Sequence, residues 1–250
     1  MEDLKWGRDA AIEMAKLVNT FPFPDFEQDY EFVAIHHPDE YGLIEGNLLS
    51  NKGINAPIRE YDDHLIEEQV EHSTSLHTRV KGRDTCHVGP LARYSLNYEQ
   101  LTPLAKSLAG ELKLGKACRN PFKSIIVRGV EMVYAFDDAI RVVEEYEQPS
   151  QPRVDVKPRQ NTGYGCTEAP RGICYHRYTI DEKGIIQDAK IVPPTAVNQA
   201  AIEKDLWHFI DPRIDWPADK LQRHCEQAIR NYDPCISCST HFLKLNIDRR

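Results

Sequence analysis

The sequence predicts an α+β fold dominated by packed helices, with a β-hairpin near residues 173–192 and small antiparallel pieces between residues 30 and 80. Three observations carry this. Helical apolar spacing recurs in long segments at both ends and in the middle of the chain, and it is sharpest after Pro121. Two apolar-rich runs flank Asp181-Glu-Lys-Gly184, which is turn chemistry between strands. The charged fraction of 28% and hydrophobic fraction of 41% are those of a chain that folds.

The elements follow in order. Ala11, Met14, Ala15 and Val18 lie at helical spacing over Leu4–Val18, and Thr20-Phe-Pro-Phe-Pro24 ends that helix because proline cannot continue it. The abrupt helical start leads us to expect further sequence upstream. Glu31–Ile35 reads as a strand, Asn51-Lys-Gly53 as a turn and Leu101–Leu114 as a helix. After Pro121, residues Ile125, Ile126, Val130, Val133, Tyr134, Ile140 and Val143 keep one helix face apolar as far as Glu147. Gln148–Tyr164, with three prolines, is an extended connection into Gly163-Tyr-Gly-Cys-Thr-Glu-Ala-Pro-Arg-Gly172, whose glycines are expected to pack closely. Pro193-Pro194-Thr195 breaks the second hairpin strand, and helices are expected over Asn198–Phe209 and Pro217–Arg230. All 250 residues are read as one domain.

A formal charge of −8 disfavours a nucleic-acid partner, and no stretch approaches the roughly 20 apolar residues of a membrane span. The start carries acids rather than the basic and apolar regions of an export signal, so a cytoplasmic protein is expected. Seven cysteines in such a chain are read as reduced thiols for packing or metal rather than as a disulfide framework.

The most informative segment is Asp233-Pro-Cys-Ile-Ser-Cys-Ser-Thr-His241. Cys235 and Cys238, three apart, can present two thiolates to one metal, and His241 is three further on. Spacing alone leaves a zinc knuckle open, completed by His224 or Cys225; covalent haem is excluded because no histidine follows Cys238 directly. Arg171, taken alone, reads as a surface ion-pair partner, and Asp233 as a turn or cap aspartate. Cys86, Cys118, Cys166, Cys174 and Cys225 read as packing, and Glu168 as an acid serving local backbone hydrogen bonds.

Asp-Pro-Cys-x-x-Cys-x-x-His, preceded by Glu168-Ala-Pro-Arg-Gly172 with 64 positions between Arg171 and Cys235, resembles the C-terminal signature of nickel-iron hydrogenase large subunits. Val88-Gly-Pro-Leu-Ala-Arg93 and Pro193-Pro-Thr-Ala-Val-Asn-Gln199 extend the resemblance, which is closest to the cytoplasmic NAD(P)-linked and sulfur-reducing branch. It implies the predominantly helical large-subunit fold and reversible heterolysis of dihydrogen into protons and electrons. Cys235 and Cys238 are then ligands of a nickel-iron centre whose iron carries cyanide and carbon monoxide. Soft thiolates suit both metals. Pro170, Arg171 and Thr195 would face the diatomic ligands; Arg171, Asp233 and Cys235 would serve catalysis, with Asp233 as the acidic partner of Arg171. The resemblance also puts magnesium or iron at His241.

The implied partners are an iron-sulfur small subunit, further electron-transfer subunits, a maturation protease and the N-terminal portion of the large subunit. The family's other cysteine pair, in Arg-x-Cys-Gly-x-Cys, has no counterpart in these 250 residues. The chain therefore carries half the metal ligands and is expected to be inactive by itself. Two alternatives remain open: a non-catalytic scaffold like the large-subunit relative in respiratory complex I, and a zinc-binding module.

Overall fold

The computed structural model describes residues 1–235; Cys238, His241 and the tail lie outside the described residues. The order is α1 (Glu2–Asn19), β1 (Val33–His36), β2 (Asn47–Ser50), β3 (Asn55–Ala56), α2 (Tyr61–His64), β4 (Leu65–Gln69), β5 (Leu76–Val80), α3 (Pro90–Leu96), α4 (Pro103–Glu111), α5 (Ser124–Glu144), β6 (Asn161–Ala169), β7 (Gly172–Ile180), β8 (Ile186–Val192), α6 (Pro194–Ile210) and α7 (Ala218–Arg230). The sheets are antiparallel: β1-β2-β3, β4-β5 and β6-β7-β8. The α+β class, the hairpin and the small sheet pieces stand as expected. No described helix is long and apolar enough to cross a membrane.

Two apolar cores meet at β1. Alternation along the strand turns Phe32 and Ala34 toward a helical core shared with α1, α3, α4 and α5. Val33 and Ile35 turn the other way, onto a core with Leu48, Tyr61, Leu65, Val80, Ile173, Tyr175 and Val197. In the helical core α1 lies close on α5, because a Cβ on Gly129 would stand 2.7 Å from the Ala15 Cβ. Only small residues allow that approach. Ala11 and Ala15 are buried as the periodicity requires, while Met14 points outward.

Several boundaries moved for identifiable reasons. Ile125 and Val143 lie on the exposed side of α5; the buried stripe runs through Ile126, Val130, Val133 and Ile140. The expected loop into Gly163 is instead strand β6, paired with β7 from Asn161–Ile180 down to Ala169–Gly172. Gly163 and Gly165 have open space where a Cβ would go, so they do not mark close packing. Gly172 does, with Val88 Cγ2 at 2.5 Å from such a Cβ. Helix α6 starts four residues earlier than expected: Pro194 takes its first position, where the missing N–H is harmless, so the double proline opens a helix. The β7–β8 turn is held by Asp181, whose Oδ1 accepts from the Lys183 and Ile185 amides, each at 2.9 Å.

Candidate metal centre

Four segments distant in sequence meet here: the β6–β7 turn, the start of α3, the first turn of α6, and the chain leaving α7. Pro170 and Arg171 form the two-residue turn between the paired Ala169 and Gly172. The turn presses on Gly89, where a Cβ would stand 2.6 Å from the Arg171 carbonyl oxygen; Gly89 (φ +104°) and Gly172 (φ +133°) both occupy positive φ. From beneath, Arg93 of α3 donates through Nη1 to the Ala169 carbonyl at 2.6 Å and through Nη2 to the Pro170 carbonyl at 3.3 Å. Its guanidinium also grips Glu131 in a fork, at 2.8 and 2.9 Å, and reaches Glu168 Oε2 at 2.9 Å.

This buried network holds one cation against two acids. Burial pushes Glu168 up to about 7 despite Arg93, and its other oxygen accepts the Ile35 amide at 3.0 Å. Burial works against the charge of Arg93, but Glu131 and Glu168 outweigh it and hold the guanidinium well above its ordinary value. Glu168 thus serves backbone hydrogen bonding, as its sequence context implied, and also supports the turn that carries Arg171.

On the opposite side, buried Thr195 accepts the Cys235 amide through its hydroxyl at 3.3 Å. One turn on, Asn198 takes both backbone groups of Val88: Oδ1 accepts the amide at 2.9 Å and Nδ2 donates to the carbonyl at 3.1 Å. The start of α6 is therefore stapled to the segment beneath Arg171.

The chain from α7 is anchored residue by residue. Ser124 donates its hydroxyl to the Asn231 carbonyl at 2.8 Å. Tyr232 packs its ring 4.9 Å from that of His87 and donates its phenol to Asp205 Oδ2 at 2.6 Å, where the Tyr30 phenol also donates. Burial raises the carboxyl of Asp205 and lowers the imidazole of His87 to about 3, so His87 is neutral here. Asp233 then adopts φ +50°, a left-handed conformation that aspartate tolerates.

Arg171 Nε lies 3.2 Å from Asp233 Oδ2 and also donates to the Asp233 backbone carbonyl. Arg128 on α5, pushed below its ordinary value chiefly by burial, is a second cation within electrostatic reach of Asp233 and Arg171.

Of the residues singled out from the sequence, Arg171 and Asp233 are therefore in contact, as are Thr195 and Cys235. Pro170 is exposed in the turn. Cys86, Cys118, Cys166 and Cys225 are buried as packing residues, and the Cys174 Sγ lies 3.4 Å from His176 Nε2. The zinc-knuckle alternative turns on Cys238 and His241, which lie outside the described residues. The Arg93 network, Arg128, and the Tyr232–Asp205–Tyr30 anchor had no sequence reading. The sole signal for any of them was the place of Arg93 in Val88-Gly-Pro-Leu-Ala-Arg93.

The fold is that of nickel-iron hydrogenase large subunits. It superposes on the NAD+-reducing nickel-iron hydrogenase in its H2-reduced state with a TM-score of 0.72 at 21% identity, over 96% of this chain and 57% of that one. A nickel-iron-selenium hydrogenase from Dm. baculatum gives 0.66 at 20% identity, covering 95% of this chain and 58% of that one. The family model "Nickel-dependent hydrogenase" matches residues 60–241, and the chain belongs to that family. Among curated relatives, sulfhydrogenase 1 subunit alpha of Pyrococcus furiosus is 33% identical over 209 residues, 83% of this chain and 48% of its own length. The NAD-reducing hydrogenase subunit beta of Cupriavidus necator is 27% identical over 74% of this chain and 42% of its own length. The chain spans about half the length of these relatives. The resemblance drawn from Glu168-Ala-Pro-Arg-Gly172 and the Cys235–His241 segment is borne out at the level of family and fold.

Proposed function

We propose that this chain supplies the Cys235–Cys238 half of a nickel-iron centre in a hydrogenase that reversibly oxidises dihydrogen, as the C-terminal part of the large subunit. The observation that carries the reading is the contact between Arg171 and Asp233, two residues before Cys235, in a chain of this family. The donor chemistry fits. Cys235 offers a soft sulfur two residues after the Asp233 that pairs with Arg171, and soft thiolates suit nickel and low-valent iron. When bound, the bimetallic group would supply the redox chemistry of dihydrogen.

The chain's own residues position and balance charge around it. Arg171, oriented by Asp233 from one side and by the turn that Arg93 braces from the other, would offer fixed donors to anionic iron ligands, cyanide included, with Pro170 shaping the approach. Thr195 holds the main chain of Cys235. As a metal-bound thiolate, Cys235 would offer its sulfur as a proton acceptor, and Asp233, paired with Arg171 two residues before it, would serve the same proton path. Cys238 would be the second thiolate and His241 a ligand of magnesium or iron; both lie outside the described residues.

The remaining thiolate pair would come from sequence outside these 250 residues, since the Cys235–Cys238 pair is the sole Cys-x-x-Cys here. Electrons would pass to iron-sulfur partner subunits and on to NAD(P), a reading supported by the NAD-reducing relatives, and the complex would be cytoplasmic. A maturation protease acting beyond His241 belongs to the same reading.

The test is dye-linked hydrogen uptake after anaerobic maturation in a host with the nickel-iron assembly machinery. The full chain is expressed alone or with a polypeptide carrying Arg-x-Cys-Gly-x-Cys. No uptake is expected from the chain alone, nickel-dependent uptake from the pair, and loss of it with Cys235→Ser. Uptake by the chain alone would overturn the division of ligands. A correctly assembled pair that binds no nickel would favour the scaffold alternative.

A further inference from the structure

A second metal-ligating cluster stands apart from the Cys235 corner, where the turn between β4 and β5 meets α6. His72 Nε2 and His77 Nε2 each lie 2.9 Å from the same oxygen, Glu203 Oε1. The three ligand atoms all lie within 4.8 Å of one another. His72 is exposed, His77 fully buried and Glu203 between the two.

The protonation of His77 makes the arrangement informative. Its Nδ1 is 3.1 Å from the Ser75 carbonyl oxygen, which can only accept, so Nδ1 carries the proton. In the neutral ring Nε2 then presents a lone pair. That buried nitrogen stands 2.9 Å from the Glu203 carboxylate oxygen. With the ring neutral, two lone pairs would face each other there, an arrangement that favours a positive charge, proton or metal, between them. The Nδ1–H to carbonyl bond is also what commonly orients a metal-bound histidine and fixes its tautomer.

We propose that His72, His77 and Glu203 bind one divalent transition cation of the zinc class, which pins the 70–75 turn to α6. Two imidazole nitrogens and one carboxylate, with a water in the fourth position, are a usual zinc ligand set. Nitrogen-rich ligands argue against magnesium and calcium. Bonds of about 2.1 Å in a tetrahedral site put ligand atoms roughly 3.4 Å apart. The 2.9 Å pairs must therefore open slightly, and the His72 ring, on an exposed turn, is free to swing. Glu203 sits eight residues after Thr195 on the same helix, so the cation would brace the helix that holds the Cys235 amide.

The test uses the full chain carrying Cys235→Ser and Cys238→Ser, so that thiolate sites do not compete, with Co2+ as the probe and Zn2+ as the competitor. One equivalent of Co2+ should bind with visible d–d absorption and no sulfur charge-transfer band, and Zn2+ should displace it. His72→Ala and Glu203→Gln, both at solvent-accessible positions, should each weaken binding by about tenfold or more. On Zn2+ addition the His77 Nε2 resonance should shift while Nδ1 keeps its proton. Absence of Co2+ binding, or unchanged affinity in His72→Ala, would overturn the proposal. So would a His77 ring protonated on both nitrogens and indifferent to Zn2+, which would make the cluster an ion pair. None of these outcomes bears on the hydrogenase reading, because the thiols of that centre are absent from the test protein.

Discussion

Replacing Arg93 with methionine keeps the length of the side chain and removes the one cation between Glu131 and Glu168. In the native protein its fork satisfies both oxygens of Glu131, one of Glu168 and the carbonyls of Ala169 and Pro170. Removing one partner of a buried pair costs about 3–5 kcal/mol, because the remaining charge stays buried. For a chain of this size each kcal/mol lowers the melting temperature by about 2–4 °C, so Arg93→Met should melt about 6–20 °C lower at pH 8. The sign of the pH dependence is fixed by Glu168. Its carboxyl is raised to about 7 in the fold, above the ordinary value of about 4.3, so the folded state holds a proton that the unfolded chain has released. This contribution is fully present near pH 4 and is lost as pH rises through about 7. Without Arg93, Glu168 loses the charge that opposes its burial, so the variant takes up a proton there more readily, and its deficit should shrink markedly at pH 5. Thermal melts of both proteins at pH 5 and pH 8, followed by circular dichroism, measure this. A variant that melts within about 2 °C of the native chain at pH 8 would refute the reasoning. So would a deficit identical at both pH values.

Two further pairs of substitutions test the anchors around the same site. Asp205→Leu strands the phenols of Tyr30 and Tyr232 in a buried site, at about 1–3 kcal/mol per unsatisfied group, whereas Tyr232→Phe removes a single donor and should cost about 1 kcal/mol; denaturant titrations give both values and their order. Gly172→Ala forces φ +133° on an L-residue and drives its Cβ to 2.9 Å from the Gly89 amide nitrogen, so a loss of about 2 kcal/mol or more is expected, while Gly163→Ala, with open space around it, should melt like the native chain.

The parts of the fold legible in the sequence are those set by local chemistry. Pro121 followed by a period near 3.6 specifies α5, and Asp181 with Gly184 specifies the β7–β8 turn through its own side chain. Strand β6 was not legible, because Asn161–Ala169 carries threonine and glycine with a mostly exposed face; its strand character comes from pairing with β7. The double proline ended β8 after Val192 as expected, but the start of α6 at Pro194 was not legible. Pro193 and Pro194 forbid a strand interior as firmly as they favour a helix start, and local sequence does not choose between the two readings. The Arg93 network joins positions 93, 131 and 168, separated by more than any window of periodicity, so no local pattern links its charges. The contact of Arg171 with Asp233 was legible through family resemblance alone, since arginine in a turn and aspartate before proline are common and uninformative.

Cys235 is placed by its main chain rather than by its side chain. The Tyr232 ring, wedged against His87 and tied to Asp205, fixes the chain one residue before Asp233 turns through its left-handed conformation. Thr195 then takes the Cys235 amide, and Arg171 takes the Asp233 carbonyl. Each anchor is itself held from elsewhere: α6 by the grip of Asn198 on Val88, and the Arg171 turn by Arg93 with Gly89 and Gly172 packed against it. Because these contacts involve backbone groups and buried side chains, none requires a bound ion to form. The direction in which the Cys235 side chain leaves the backbone is accordingly set by folding, so on the proposed reading a metal would meet a preorganised donor instead of having to order one.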